Sequence, residues 1–251
     1  MTDTWYLFNK YIKISLRTPL WTLFNLVQPL IWLVIFGQLF RNMVRLPGFP
    51  NASYVDFLVP GVLVMTVLFG ASWSGVSLLR EIRSGGVDRL LAAPIHRYSV
   101  VLSRVLHASV QVVAQAVVIL IVAGLIGAAG SINPLGLFIA LVVVFLLGIG
   151  FAALSNGFAI LLQREEPLVV IGNLMTMPLL FFSTAMVPES FLPPWMAYIA
   201  TINPIHYAVE GVRDAMQGNW DSALGINILV VTAFAVGALI WSIQSFKRLK
   251  D

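Results

Sequence analysis

The chain has 251 residues, of which 59% are hydrophobic and only 10% charged, with a mean hydropathy of +0.91. Soluble domains are about one-quarter charged, so this composition excludes a soluble globular protein and marks a polytopic membrane protein. The lack of cysteine excludes disulfides, thiolate metal sites and cysteine nucleophiles, and the net charge of +4 raises nucleic acid only until the charges are located.

In chain order, residues 5–17 read as an amphipathic helix lying in the membrane interface. At 100° per residue Trp5, Phe8, Ile12 and Leu16 share one face, and Lys10, Lys13 and Arg17 another. Leu7 and Ile14 break that separation, which predicts that part of the helix packs on protein. Pro19 turns the chain into the first span. A bilayer core of about 30 Å needs about 20 apolar residues per helix. Six windows supply them: 20–40, 57–79, 105–129, 135–162, 168–187 and 224–246, none containing Asp, Glu, Lys or Arg. The first is too long for the apolar core of a signal peptide and offers no small-x-small cleavage site over 37–41.

Of the 15 Lys and Arg residues, all but Arg41, Arg45 and Arg213 fall on the side that holds both termini. That bias makes it the cytoplasmic side. The basic balance is therefore a topological signal, and no nucleic-acid footprint remains. Two connections exceed what topology requires. Residues 80–104 form a cytoplasmic connection broken at Ser84-Gly85-Gly86, with a helical stretch over 87–92 that ends at Pro94. Residues 188–221 are external and too apolar for a solvated loop. They read as short helices dipping into the outer leaflet, with Trp195, Tyr198, Tyr207 and Trp220 at headgroup depth.

The search for catalytic chemistry is negative, so the chain is expected not to be an enzyme by itself. Gly148-x-Gly150-x-x-Ala153 fits a dinucleotide pattern but lies within an apolar span with no strand before it. It reads as a small-residue face on which Gly148, Ala152 and Ser155 admit a neighbouring helix. There is no phosphate-binding loop. His96, His107 and His206 lack a second ligand at metal spacing, and Asn51-Ala52-Ser53 is a formal glycosylation sequon. No window carries an acid that could couple transport to protons or sodium, which places any energy source outside this chain.

Neutral polar stripes do cross the windows. Arg104, His107, Gln111 and Gln115, spaced 3, 4 and 4, fall on one helical face; they either hydrogen-bond to neighbouring helices or line a hydrated inner vestibule. Trp21, Asn25, Gln28 and Trp32 form an aromatic and amide stripe suited to an amphipathic substrate or to a subunit contact. Asn173, Thr176, Met177 and Leu180, followed by Pro178 and by Phe181 and Phe182, suggest a bent helix near something that must fit.

Two segments together carry a resemblance. Residues 81–95, EIRSGGVDRLLAAPI, resemble the first cytoplasmic loop of type-2 ABC exporter permeases, particularly the daunorubicin-resistance group. Residues 191–195, FLPPW, and 203–213, NPIHYAVEGVR, are similar to the same family's external segment between spans 5 and 6. The resemblance implies an all-α permease of six transmembrane helices in one domain over 1–251. An interfacial helix would occupy 1–19, spans 1–5 residues 20–187, an external re-entrant segment 188–221, and span 6 with the cytoplasmic tail 222–251. It further implies the cytoplasmic membrane, two copies of a separate ATPase subunit that holds ATP and Mg2+, and a second copy of the chain or a paralogue as partner. No cofactor would be bound by this chain. Glu81, Gly85, Gly86, Asp88, Arg89, Leu90, Leu91 and Pro94 match the family's ATPase-docking coupling helix; a lipid-facing basic anchor is the alternative. The implied function is ATP-driven export of a drug or lipid. Export of lipid-linked polysaccharide and a non-transporting ATPase anchor are the other readings.

Overall fold

A computed structural model describes residues 2–46, 49, 53–91, 95–127 and 133–247; within these, the side chains of residues 2, 19–23, 88, 91, 97 and 247 lie outside the description. Among the described residues there are helices and turns but no strand. The helices are α1 (Thr2–Arg17), α2 (Pro19–Leu39), α3 (Tyr54–Ala71), α4 (Ser74–Arg83), α5 (Gly86–Leu91), α6 (Arg97–Leu125), α7 (Pro134–Leu162), α8 (Glu165–Phe181), α9 (Pro194–Ala200), α10 (Pro204–Gln217) and α11 (Ser222–Lys247). Short 3-10 turns cover Arg41–Arg45 and Glu189–Phe191.

Local chemistry sets the helix starts. Asn133 and Asn203 each precede a proline in the first helical position, and each side chain accepts the amide hydrogen two residues on. Ser53 and Asp221 cap α3 and α11 in the same way. Each of the six apolar windows contains a helix. Four described stretches are long and apolar enough to cross a membrane: Tyr54–Arg83, Tyr98–Leu125, Pro134–Leu162 and Ser222–Phe246. The described apolar part of α2, Phe24–Leu39, is shorter, and α8 has 17 residues.

Helix and apolar window diverge at two places. The 57–79 window is two helices, α3 and α4, and the helices α4 and α6 run on through charged residues to Arg83 and back to Arg97. The connection expected over 80–104 thus shrinks to 84–96, because backbone hydrogen bonds continue a helix past the end of its apolar face. The 168–187 window ends early, at Phe181, in a turn where the Ser183 hydroxyl accepts from the Ala185 amide.

Helix α7 is the centre of the bundle, packing on α11, α6, α10, α4 and α3. Its small residues set the approach: a Cβ on Gly148 would meet Val112 at 3.0 Å and the Ser109 backbone at 3.3 Å, so α6 can lie this close only against glycine. At the α3–α4 break the Ser155 hydroxyl donates to the Ser72 carbonyl and accepts from the Gly75 amide at 2.9 Å. These bonds satisfy backbone groups that the bend frees inside an apolar environment. Helix α1 lies across one end of the bundle, with Leu7 and Tyr11 buried against it and Trp5 and Leu16 exposed. Helices α9 and α10 cover the opposite end.

Candidate functional site

At the α1 end of the bundle, one carboxylate gathers three elements. Glu81 near the end of α4 accepts from Lys10 Nζ at 2.9 Å, from the Tyr11 hydroxyl at 3.0 Å and from the Arg104 guanidinium of α6. Arg104 is 5% exposed and lies 4.7 Å from the centre of the Tyr11 ring. Burial, followed by the nearby Arg104 charge, lowers the Lys10 pKa from its ordinary value. One turn further along α6, His107 Nε2 pairs with the Ser15 hydroxyl at 2.8 Å. Helices α1, α4 and α6 are thereby joined through side chains.

Beside this cluster lies a cavity of about 210 Å³. Arg104, His107 and Gln111 from α6 line it, together with Asn25 from α2 and Trp73 and Ser77 from the α3–α4 region. Part of the expected α6 stripe is thus assembled around open space. Gln115 is not; it is buried deeper, where a Cβ on Gly70 would come within 2.9 Å of its side-chain oxygen. The α2 stripe divides as well. Asn25 faces the cavity, Gln28 is exposed, and Trp32 stacks on Phe36 at 4.2 Å. The Trp21 side chain lies outside the described residues.

The α8 residues do not reach this cavity. Thr176 is buried and, with Asn173, borders a narrow cleft against the α3–α4 break. Met177 and Phe181 are exposed on the outer face of α8.

Helix α5 follows directly from the Glu81 cluster. Gly85 has φ +70°, the left-handed conformation that lets the chain reverse without a Cβ penalty. Gly86 serves a different purpose, since a Cβ there would sit 2.6 Å from Glu81 Cγ. Val87 is buried, Leu90 packs half-buried on the core, and Arg89 is exposed. The side chains of Asp88 and Leu91, and all of Pro94, lie outside the described residues.

The opposite end carries a second buried arginine. Arg213 of α10, 7% exposed, donates to the Thr184 carbonyl at 2.9 Å and to Glu210, and its guanidinium lies 4.3 Å from the Phe57 ring centre. Thr184 Oγ1 in turn donates to Glu210 and approaches His206 Nδ1 at 3.2 Å. Burial holds the His206 pKa below the ordinary histidine value. The Asn203 side chain donates to the carbonyls of Leu179 and Phe182, fixing α10 to the end of α8. Of the aromatic residues expected at headgroup depth, Trp195, Tyr198 and Trp220 are exposed, while Tyr207 is half-buried and donates to the Thr201 carbonyl at 2.7 Å.

Lys10, Tyr11 and Ser15 did not stand out in the sequence as site residues. Their partners are 71, 70 and 92 residues away. The one local signal was Tyr11 and Ser15 at i and i+4, on the helix face that also bears Leu7.

Among the described residues no group of His, Asp and Glu is placed to hold a metal ion. The ABC-2 type transporter family model matches residues 2–216. The chain is 34% identical over 198 residues to the putative transport permease ycf38 of Porphyra purpurea, covering 78% of this chain and 68% of that protein. It is 26% identical to the daunorubicin resistance ABC transporter permease protein DrrB1 of Streptomyces coeruleorubidus, over 82% of this chain and 72% of that one. Identity to nodulation protein J of Rhizobium meliloti is 25%, over 89% and 84%. With this match over most of its length and a bundle of membrane-length helices behind it, the chain belongs to the ABC-2 type transporter family and is a transmembrane permease subunit.

Proposed function

We propose that the chain is the membrane half of an ATP-driven exporter that moves a hydrophobic or amphipathic substrate, a drug or a lipid, out of the cytoplasm. Two copies of a separate ATPase supply ATP and Mg2+, and a second copy of the chain or a paralogue completes the path. Six helices cross the cytoplasmic membrane with both termini inside, as the distribution of Lys and Arg favours. The apolar faces left open on α2, with Phe24, Ile31 and Ile35 exposed, and on α8, with Leu174 and Phe181 exposed, suit lipid or the second subunit.

The observation that carries this reading is the mounting of α5. A six-residue helix has little stability of its own, yet this one is held by Val87 in the core and by the turn at Gly85, with Arg89 directed outward. The residue at its base, Glu81, holds α1 and α6. A force on α5 from an ATPase would therefore pass to the interfacial helix and to the α6 wall of the cavity. Nucleotide can bias the inward and outward states only through the difference in its affinity for them, and docking at α5 would supply that difference.

The test is Arg89→Glu, because Arg89 is exposed and its replacement disturbs no packing; Leu90, half-buried on the core, makes a less selective site. The variant should insert normally but lose the co-purifying ATPase or its substrate-stimulated hydrolysis. Full retention with normal transport would show that α5 is not the docking element. Orientation is tested separately in this cysteine-free chain. A cysteine at Ser84 should label only from the cytoplasm and one at Ser190 only from outside.

A further inference from the structure

Beyond this transport reading, we propose that the cavity between α1, α2, α4 and α6 is a binding site for the headgroup of an anionic phospholipid. The lining supplies the donors that a phosphate diester and a polyol require. Arg104 lines the cavity, is almost fully buried, and is the charged side chain on its described lining. A phosphate oxygen is the acceptor that a guanidinium binds best. Asn25, Gln111, Ser77 and the His107 ring add neutral donors and acceptors, and the Trp73 ring adds a flat face.

The charge balance favours an anion. Among the described residues, no carboxylate lines the cavity. Glu81, the nearest acid, lies behind Arg104 and is engaged by Lys10, Tyr11 and Arg104 together. Lys10, Lys13 and Arg17 form a cationic face on α1 on the other side of Ile14, which borders both that face and the cavity.

The shape favours a lipid over a free anion. A cavity of about 210 Å³ far exceeds the 10–15 Å³ or so that one water needs. It is open, with exposed Thr18 at its rim. Immediately beside Asn25, the α2 residues Phe24 and Val27 are exposed and apolar, as is Ile14 across the rim. A chamber with polar groups in its lining, bordered by an apolar outer wall at the junction of α1 and the spanning helices, fits a headgroup with its acyl chains outside. This placement holds whichever way the chain faces, so a failed orientation test would leave it standing.

The experiment is native mass spectrometry of the full chain after exposure to phosphatidylglycerol or phosphatidylcholine of matched acyl chains. Phosphatidylglycerol should be retained in preference, and Arg104→Gln should lower its retention about ten-fold, the loss expected for one charge-assisted hydrogen bond. Because Arg104→Gln also disturbs the Glu81 cluster, Thr18→Trp provides an independent reading. Thr18 lies between α1 and α2, and its side chain donates to the Ile14 carbonyl, so the variant should fold while its indole blocks the rim and abolishes the preference. Equal retention of both lipids, or unchanged retention in Thr18→Trp, would overturn the proposal. Displacement of the lipid by millimolar inorganic phosphate would overturn the lipid source and assign the site to a soluble anion.

Discussion

Arg104 and Arg213 are each less than one-tenth exposed, each meets a glutamate and each lies over an aromatic ring. Their surroundings differ. Arg213 is closed in: its acid is three residues away on the same helix, and its other partners are a backbone carbonyl and a phenyl ring. Helix geometry brings that acid near before the bundle forms. Arg104 meets its acid across 23 residues, on another helix, and the same acid holds α1. It also borders the cavity between α1, α2, α4 and α6. One arginine pins α10 to the start of α3 and to the turn after α8. The other ties together elements that can change their relation only by breaking charged contacts beside open space, which suits a joint that transmits motion.

The largest effect is expected at the closed site. Arg213→Ala leaves Glu210 partly buried without its cation and the Thr184 carbonyl without a donor, at about 3 kcal/mol. Thermal unfolding in detergent should show it, and Arg213→Lys should restore little, since one ammonium cannot serve both acceptors and the ring. At the joint, Glu81→Gln should cost less stability, about 2 kcal/mol, but more function. Its signature is a permease that still retains the ATPase while substrate no longer stimulates hydrolysis. Equal losses of stability and coupling in both variants would erase the distinction between latch and joint.

A subtler comparison removes polarity from the cavity without touching the ion pairs. Asn25→Leu combined with Gln111→Leu should alter transport, measured in vesicles, with stability changed by about 1 kcal/mol or less. Unaltered transport would show that the polar lining of the cavity is not part of the transport path. The smallest effect is at Asp214, whose pKa is raised, first by burial and then by Glu210 and Asp221, although Asn227 donates to it. A raised carboxylate pKa means that the charged form is less favourable in the fold than in the unfolded chain. That penalty is present above the folded pKa and is relieved as pH falls through it. Asp214→Asn should therefore raise the melting temperature slightly at neutral pH, and the gain should vanish on acidification.

The class of the protein, a helix in each apolar window and the break at Ser84-Gly85-Gly86 followed from the sequence alone, because apolar runs and glycine turns act over a few residues. The break between α3 and α4 inside one apolar window did not. The N-terminal helix was legible too, including the hint in Leu7 that one face packs on protein. What only the tertiary structure decided was which polar groups meet. The Arg104, His107, Gln111 and Gln115 stripe is a single helical face, yet three of its members border a cavity and Gln115 is buried in packing. Trp32 shares a stripe with Asn25 but stacks within its own helix instead. Periodicity states which residues share a face. It does not state what the face meets, because that depends on partners 70 or more residues away, such as Lys10 and Tyr11 on Glu81, brought together only when the bundle closes.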